Sequence, residues 1–260
     1  MSGGLDSAVL LAEEAARRGP GDDDDIAFVQ PIYVSVGLAW EAAERAAVRA
    51  LLAAEPLAGR TRPLVSLSVD MRDVYEADHW AIEGNPPRYH TPDEDVYLPG
   101  RNVILLGKAG VYCAAARIDC LVLGTLAHNP FPDATPAFRA AMAKALSTGL
   151  AHPLAIDAPL ASSEKAEVVR RGAALGVPLR LTLSCMSPGM GVQGTGLRVV
   201  HGDPSPVHVH GNPSPRVIHG DPSPVHCGTC SKCRERHDAF VEAGIVDETN
   251  YADRTHVGTV

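Results

Sequence analysis

Apolar segments of two kinds alternate along the chain. Short runs with β-branched residues, at 26–36 and 63–69, are typical of buried strands, whereas the Ala-rich stretches at 5–18 and 40–54 place their apolar positions along a helical stripe. The same alternation predicts helices over 102–116, 134–146 and 163–175, and strands over 120–126 and 152–156. Such alternation is the signature of βαβ units, so we predict an α/β fold with an open, doubly wound parallel sheet covered by helices on both faces.

A segment near the C-terminal end breaks this pattern. From His201 the chain reads HGDPSPVHV, HGNPSPRVI and HGDPSPVHC, a nine-residue repeat that occurs three times. Proline removes backbone donors and little apolar surface is available for burial, so we predict a disordered insertion over residues 201–226. We expect a main domain over residues 1–180 and a smaller region over 181–245 that the insertion interrupts. A metal site among the repeat histidines lacks a rigid scaffold; these are His201, His208, His210, His219 and His226.

Composition and charge narrow the class of protein. An apolar fraction of 45% in 260 residues is enough for a buried core, and a formal charge of −8 argues against a nucleic-acid-binding surface. We interpret the acidic run at residues 22–25 as a solvated loop rather than a metal site. With no spanning apolar stretch and no signal peptide, we expect a cytoplasmic protein. Its six cysteines are then free thiols, metal ligands or catalysts rather than disulfides.

The sequence SGGLDS at residues 2–7 leads directly into the first predicted helix. Glycines allow close approach of a ligand, helix N-terminal amides favour an anion, and Ser2 and Ser7 add hydroxyl donors. This suits a pyrophosphate, beside which Asp6 would hold the loop or Mg²⁺. The alternative is a glycine-rich turn with a helix cap, and without a Walker lysine the loop is not that of a P-loop kinase. The predicted binding residues are Ser2, Gly3, Gly4, Leu5, Asp6 and Ser7.

Four cysteines have the spacing of a metal site. A C-x2-C-x2-C run at residues 227–233, with one distant cysteine, can supply four thiolates to a structural Zn²⁺, although an iron–sulfur cluster is an alternative. Cys113 and Cys120 lack such spacing, so we interpret them as core residues. The predicted metal ligands are Cys185, Cys227, Cys230 and Cys233.

Seven motifs together resemble the 7-cyano-7-deazaguanine synthase family of PP-loop ATP pyrophosphatases, in order and rough spacing over nearly the whole chain. They are SGGLDS at 2–7, YLPGRN at 97–102, LGT at 123–125, PD at 132–133, KAE at 165–167, SC at 184–185 and CGTCSKCRERHDAF at 227–240.

The resemblance implies a PP-loop ATP-binding domain over residues 1–180 and a zinc-binding region over 181–245. ATP, Mg²⁺ and one structural Zn²⁺ per chain are the implied cofactors. The implied activity is that of a carbon–nitrogen ligase of queuosine and deazapurine biosynthesis, which adenylates 7-carboxy-7-deazaguanine and uses ammonia to form the nitrile. We expect a homodimer that binds small molecules, and neither nucleic acid nor a membrane.

The resemblance also gives roles to single residues. The planar fork of Arg101 suits a phosphate or carboxylate, and Lys165, in the first turn of its helix, is either an anion-binding residue or a surface lysine. With Asp6 and Ser7 they form the predicted catalytic set. Asn102 is a helix cap or a site residue.

Three further residues have two interpretations. Asp133 contacts either a heterocycle or a backbone turn. His79 and Trp80 are pocket residues, or else a surface histidine and a packed tryptophan.

Three features depart from the family pattern, and the last two indicate a divergent branch. In the family the loop follows a hydrophobic strand, whereas here the motif begins at residue 2, so we expect the first strand to be missing from the chain as given. A Tyr-Gly-Gln-like motif is replaced by residues 37–41, and a Pro-Asp-Cys-Arg stretch by residues 132–135. The alternatives are another PP-loop adenylating ligase, amidating or thiolating, and a non-enzymatic regulatory descendant. A thiolating enzyme would need a reactive cysteine near the loop.

Overall fold

The computed structural model describes residues 1–18, 28–189 and 222–257. The predictions for the acidic run at 22–25 and for the repeat up to residue 221 lie outside these residues. Within the described ranges the α-helices are α1 Leu5–Arg18, α2 Glu41–Ala53, α3 Trp80–Glu83, α4 Arg101–Ala116, α5 Pro136–Leu150, α6 Lys165–Ala174 and α7 Ser231–Ala243. The β-strands of the same ranges are β1 Ile32–Ser35, β2 Val65–Ser68, β3 Cys120–Val122, β4 Ala155–Asp157, β5 Val225–His226 and β6 Asn250–Tyr251.

Each predicted helix and strand of the first 180 residues has a counterpart, and the bounds differ by a few residues. The first helix is confirmed as α1, Leu5–Arg18. The strand predicted over 26–36 is shorter and begins at Ile32. Pro31, just before it, has no N–H to donate to a ladder, although its carbonyl accepts from the amide of Val65 at 3.0 Å.

Three two-stranded sheets form the β-structure of the described residues. β1 pairs with β2, β3 with β4, and β5 with β6, each in parallel. The predicted α/β class with parallel pairing is confirmed, but the described strands do not join into one continuous sheet. Ile32, Tyr33 and Val34 of β1 line the same cavity as residues 120–122 of β3. The two main pairs therefore flank a shared space rather than hydrogen-bonding to each other.

Residues 222–226 differ from the prediction of a disordered insertion over 201–226. Val225 and His226 form β5, in register with Asn250 and Tyr251 of β6. His226 is fully buried, and its Nε2 accepts a hydrogen bond from the Ser184 amide at 3.1 Å. The prediction of disorder is therefore wrong for the residues next to Cys227, which bury this histidine and give it a hydrogen-bond partner.

The main core lies where α1 packs against α6 and α6 against α7. Val9 of α1, Val169 of α6 and Phe240 of α7 are buried in one apolar cluster. Full burial of such side chains stabilises the fold by about 1.5–3 kcal/mol each. The helix that carries the last predicted cysteine ligand is thus fixed to the helix that begins at Lys165. None of the helices in the described ranges has the length and apolar character that a membrane span requires.

Candidate active site and metal centre

The loop at residues 2–7 turns sharply into α1. Gly3 has φ +78°, and a Cβ there would lie 3.2 Å from both the Ala47 side chain and the Glu44 carbonyl oxygen, so both conformation and space favour glycine. Ser7 Oγ donates to the Gly4 carbonyl at 3.1 Å. The Gly3 carbonyl accepts from the amide of Leu183 at 2.8 Å, which fixes the loop beside the segment that carries Cys185.

A cavity of about 470 Å³ opens next to this loop. Four of the six predicted binding residues line it, whereas Gly3 packs against α2 and Leu5 is buried in the core. Arg101 and Asn102, at the start of α4, also line the cavity, but Lys165 does not. The loop residues on the cavity are Ser2, Gly4, Asp6 and Ser7.

Three buried polar atoms on residues that line this cavity have no hydrogen-bond partner. They are Asp6 Oδ1, Arg101 Nε and Thr125 Oγ1. A buried polar group without a partner costs about 1–3 kcal/mol, so such groups are rare in folded proteins. A carboxylate, a guanidinium and a hydroxyl on residues that line one cavity indicate a site for a polar, charged ligand. Thr125 belongs to the LGT motif at residues 123–125, but no role was predicted for it.

Lys165 contacts the loop from outside the cavity. Its Nζ lies 2.8 Å from Asp6 Oδ2 and 2.9 Å from Glu235 Oε1. Burial lowers the pKa of Lys165, but the negative charges of Asp6 and Glu235 raise it by a larger amount. The pKa of Lys165 therefore lies above its usual value, and the side chain is charged. The structure thus brings together two predicted site residues that are 159 positions apart, and adds Glu235, which sequence reasoning missed.

The N-terminus of α4 is held by Asp133. Its Oδ2 accepts the Asn102 amide at 3.1 Å, and its Oδ1 accepts from Asn102 Nδ2 at 3.3 Å. Of the two interpretations of Asp133, contact with the backbone is therefore confirmed. Asn102 is not the predicted helix cap, because α4 begins at Arg101 and Gly100 precedes it with φ +77°.

Glu44, a second residue that was not predicted, also lines the cavity. It is buried and accepts hydrogen bonds from Tyr33 Oη at 2.9 Å and Trp40 Nε1 at 3.1 Å. Burial raises the pKa of Glu44, and Arg101 opposes that shift. Glu41, three residues earlier, accepts from the amides of Val36 and Gly37. The divergent Trp40–Glu41 pair therefore supports the turn after β1 and does not line the cavity.

His79 and Trp80 also lie away from the cavity. His79 Nδ1 accepts from the Ala81 amide at 3.2 Å and caps α3. Trp80 stacks on Trp40 with ring centroids 5.8 Å apart. Both are therefore structural residues rather than pocket residues.

The four predicted metal ligands meet in one cluster. The Sγ atoms of Cys185, Cys227, Cys230 and Cys233 lie within 4.8 Å of one another. Two of the separations, 3.8 Å for Cys227–Cys233 and 3.5 Å for Cys230–Cys233, are close to the roughly 3.8 Å between sulfurs of a tetrahedron with about 2.3 Å Zn–S bonds. Amides of Ser187 and Cys227 donate to Cys185 Sγ at 3.3 and 3.2 Å, as expected around a thiolate ligand. The donor set fits a metal ion.

The other two cysteines do not join this cluster. Cys113, in α4, is fully buried, and its burial raises the pKa of its thiol to about 11. A thiol with that pKa is protonated near neutral pH and is a poor nucleophile. Cys113 and Cys120 line the cavity, so the prediction that they only fill the core is incomplete.

The fold and site define an α/β protein with a glycine–serine loop at a helix N-terminus, a cavity beside the loop and a four-cysteine cluster that could hold a metal ion. Residues 72–196 match the family described as Queuosine biosynthesis protein QueC. That range includes Arg101, Lys165 and Cys185, whereas the loop at 2–7 and the cysteines at 227–233 lie outside it.

Relatives extend the comparison. The chain is 32% identical over 163 residues to the 7-cyano-7-deazaguanine synthase of Anaeromyxobacter dehalogenans and 33% over 165 residues to that of Methanopyrus kandleri. It spans 56% and 59% of the length of these two relatives, and each match covers 60% of this chain. It is 29% identical to the 7-cyano-7-deazaguanine synthase of Methanothrix thermoacetophila over 263 residues, 96% of each chain. The resemblance to the 7-cyano-7-deazaguanine synthases is confirmed.

Proposed function

We propose that this chain is an ATP-dependent carbon–nitrogen ligase that converts 7-carboxy-7-deazaguanine and ammonia to 7-cyano-7-deazaguanine. The relatives named 7-cyano-7-deazaguanine synthase support this reaction. The observation that carries the proposal is that Asp6, Arg101 and Thr125, each with a buried polar atom that has no hydrogen-bond partner, line one cavity at the N-terminus of α1. A nucleotide and a carboxylate would supply acceptors for Arg101 and Thr125, and Mg²⁺ would supply a positive charge for Asp6.

The chemistry explains why ATP is needed. A carboxylate is a poor electrophile because it is an anion with a poor leaving group. Its attack on the α-phosphate forms an acyl adenylate and releases pyrophosphate. Ammonia then displaces AMP to give the amide, and a second ATP activates the amide oxygen so that AMP leaves as the nitrile forms. At each step the protein positions the reactants and stabilises phosphate charge.

The residues divide this work by position. The amide end of α1 with Ser2 and Ser7 binds the pyrophosphate group of ATP. Asp6 Oδ1 is the protein ligand for Mg²⁺, which would shield the phosphate charge. Arg101, at the start of α4, holds the carboxylate or the α-phosphate. Lys165 acts on Asp6, because it contacts this carboxylate and not the cavity.

The four-cysteine cluster is proposed to hold one structural Zn²⁺ per chain. Its sulfur separations and N–H···S contacts support zinc, and the cluster has no open position for a substrate. The metal would fix α7, whose N-cap residue is Cys230, against the segment at residues 183–185 that hydrogen-bonds to the loop. It therefore supports the nucleotide site without taking part in the reaction.

We also propose that β1–β2 and β3–β4 are two parts of one doubly wound sheet. Both pairs are parallel, and residues of β1 and β3 line one cavity, as expected for strands of a single α/β sheet. A homodimer remains part of the proposal. It rests on the family resemblance.

The test is the release of AMP and pyrophosphate from ATP by the purified chain. Both products should appear only when 7-carboxy-7-deazaguanine is present, and ammonia should then yield the nitrile. ADP in place of AMP would reject adenylation. If AMP forms with another carboxylate but not with 7-carboxy-7-deazaguanine, the adenylation mechanism is retained and the proposed substrate is rejected. No AMP with any carboxylate would favour a non-enzymatic descendant.

A further inference from the structure

Four charged side chains form an alternating series from the nucleotide loop to the metal-bearing helix. Asp6, Lys165, Glu235 and Lys232 follow one another, with ion pairs between successive members. Asp6 belongs to the loop and α1, Lys165 begins α6, and the last two residues lie in the first turns of α7. Each of the two inner residues therefore has a partner of opposite charge on both sides.

The two carboxylates on Lys165 fix its position. An ammonium group on a four-carbon stem has three donors and many rotamers, so one acceptor alone leaves it considerable freedom. Here Asp6 Oδ2 and Glu235 Oε1 lie at 2.8 and 2.9 Å from Nζ, in a partly buried setting. Lys232 holds the other oxygen of Glu235. Removal of Glu235 would leave Lys165 with a single anchor.

The position of Lys165 decides the orientation of Asp6. Oδ2 of Asp6 faces Lys165, and Oδ1 is the buried atom without a partner on a residue that lines the cavity. A carboxylate that rotated away from Lys165 would lose this orientation. We propose that Glu235 is a positioning residue that acts through Lys165 to hold the Asp6 carboxylate for the Mg²⁺ of bound ATP; this inference rests on the proposed function.

A simple electrostatic effect predicts the opposite result. Glu235 is a negative charge close to a site for a polyanion, so its neutralisation should strengthen ATP binding if charge alone matters. If Glu235 positions Asp6, the same change should weaken the binding of ATP with Mg²⁺. The sign of the effect therefore separates the two explanations.

The experiment measures ATP binding by titration calorimetry in the presence of Mg²⁺, on the full chain with its metal. It compares the unchanged protein with Glu235→Gln and with Glu242→Gln, an identical chemical change at an exposed position of α7. Loss of a residue that orients a metal ligand typically costs about 10–100-fold in metal affinity, so Glu235→Gln, one residue further away, should weaken MgATP binding about five- to tenfold. Glu242→Gln should leave the affinity unchanged.

A Mg²⁺ titration at fixed ATP adds a readout that a purely structural role would not change. In Glu235→Gln the Mg²⁺ concentration for half-maximal ATP binding should rise several-fold, whereas zinc content should stay near one per chain. Glu235→Asp keeps the charge but shortens the side chain. Its Mg²⁺ concentration for half-maximal ATP binding should lie between that of the unchanged protein and that of Glu235→Gln. If Glu235→Gln unfolds the chain, the same binding measurements on Glu235→Asp test the proposal.

The outcomes separate this inference from the proposed function. Unchanged or tighter MgATP binding in a folded Glu235→Gln protein overturns the positioning role and leaves the ligase proposal intact. Weaker binding with a raised Mg²⁺ requirement, but no AMP from the deazaguanine carboxylate, supports the positioning role and rejects the substrate. If the unchanged protein binds no ATP, both proposals are overturned.

Discussion

The Asp133 carboxylate accepts the backbone amide of Asn102, 31 residues earlier, at 3.1 Å. Together with the Asn102 Nδ2 hydrogen bond to Asp133 Oδ1, this contact fixes the first turn of α4 and, with it, the position of Arg101 on the cavity. The Pro132–Asp133 motif therefore acts on the site through the backbone of a neighbouring helix. Asp133 itself is buried and also lines the cavity.

Asp133→Ala should lower both stability and affinity. Loss of a carboxylate that satisfies helix N-terminal donors costs about 0.5–2 kcal/mol, and Arg101 should then be less well positioned. We expect a lower melting temperature and a KM for the carboxylate raised several-fold, measured by thermal unfolding and by AMP release. Asp73→Ala, at an exposed position, is the control. A loss of stability without any change in KM would limit Asp133 to a structural role.

Asp6→Asn should abolish AMP formation while zinc stays bound. The change keeps the size of the side chain but removes the charge that Lys165 and Mg²⁺ require. Zinc content should remain near one per chain, because the cysteine cluster has its own ligands. Product analysis and metal analysis of the same sample check both parts. AMP formation near the unchanged rate would show that Asp6 is only a loop residue.

Arg101→Ala should reduce the rate without unfolding the protein. The Nε atom of Arg101 is buried and lacks a partner, so the folded state loses little when it is removed, whereas an anion would lose a charge-assisted hydrogen bond of about 1.5–3 kcal/mol. That energy corresponds to a decrease in kcat/KM of about ten- to 200-fold. Lys108→Ala, which removes an exposed positive charge from the same helix, should have little effect. Equal rates for the two variants would contradict the role of Arg101.

Removal of the metal should destabilise the chain. Four thiolates in a buried cluster repel one another without a cation, and structural zinc contributes directly to folding. Chelation, or Cys230→Ser, should lower the melting temperature strongly, whereas Cys113→Ala should act as an ordinary core substitution. Metal analysis should find about one zinc per chain. Iron with inorganic sulfide in the purified protein would instead establish a cluster.

Deletion of residues 201–221 should leave zinc content and melting temperature nearly unchanged. Their proline-rich repeat has little apolar surface to bury, so the sequence predicts no contribution to the core. His226→Ala, just beyond the repeat, should be clearly destabilising because His226 is buried beside Cys227 and accepts the Ser184 amide. A large loss of stability on deletion of 201–221 would show that the repeat packs.

The sequence by itself determined the features that depend on local pattern. The glycine–serine string at 2–7, the cysteine spacing at 227–233 and the alternation of strands and helices are each read within a short window, because backbone conformation and ligand spacing are local properties. For this reason the helix at Leu5–Arg18 and the cluster of four cysteines could be predicted from the sequence.

Only the tertiary structure decided which distant side chains meet. The pairing of Lys165 with Asp6 spans 159 residues, and the Glu235 contact depends on how α6 packs against α7. No spacing rule places Glu44 on the cavity or moves Trp40 and Glu41 away from it. Such contacts follow from the packing of whole helices around a common core, and a sequence pattern fixes the face of a helix but not its neighbour.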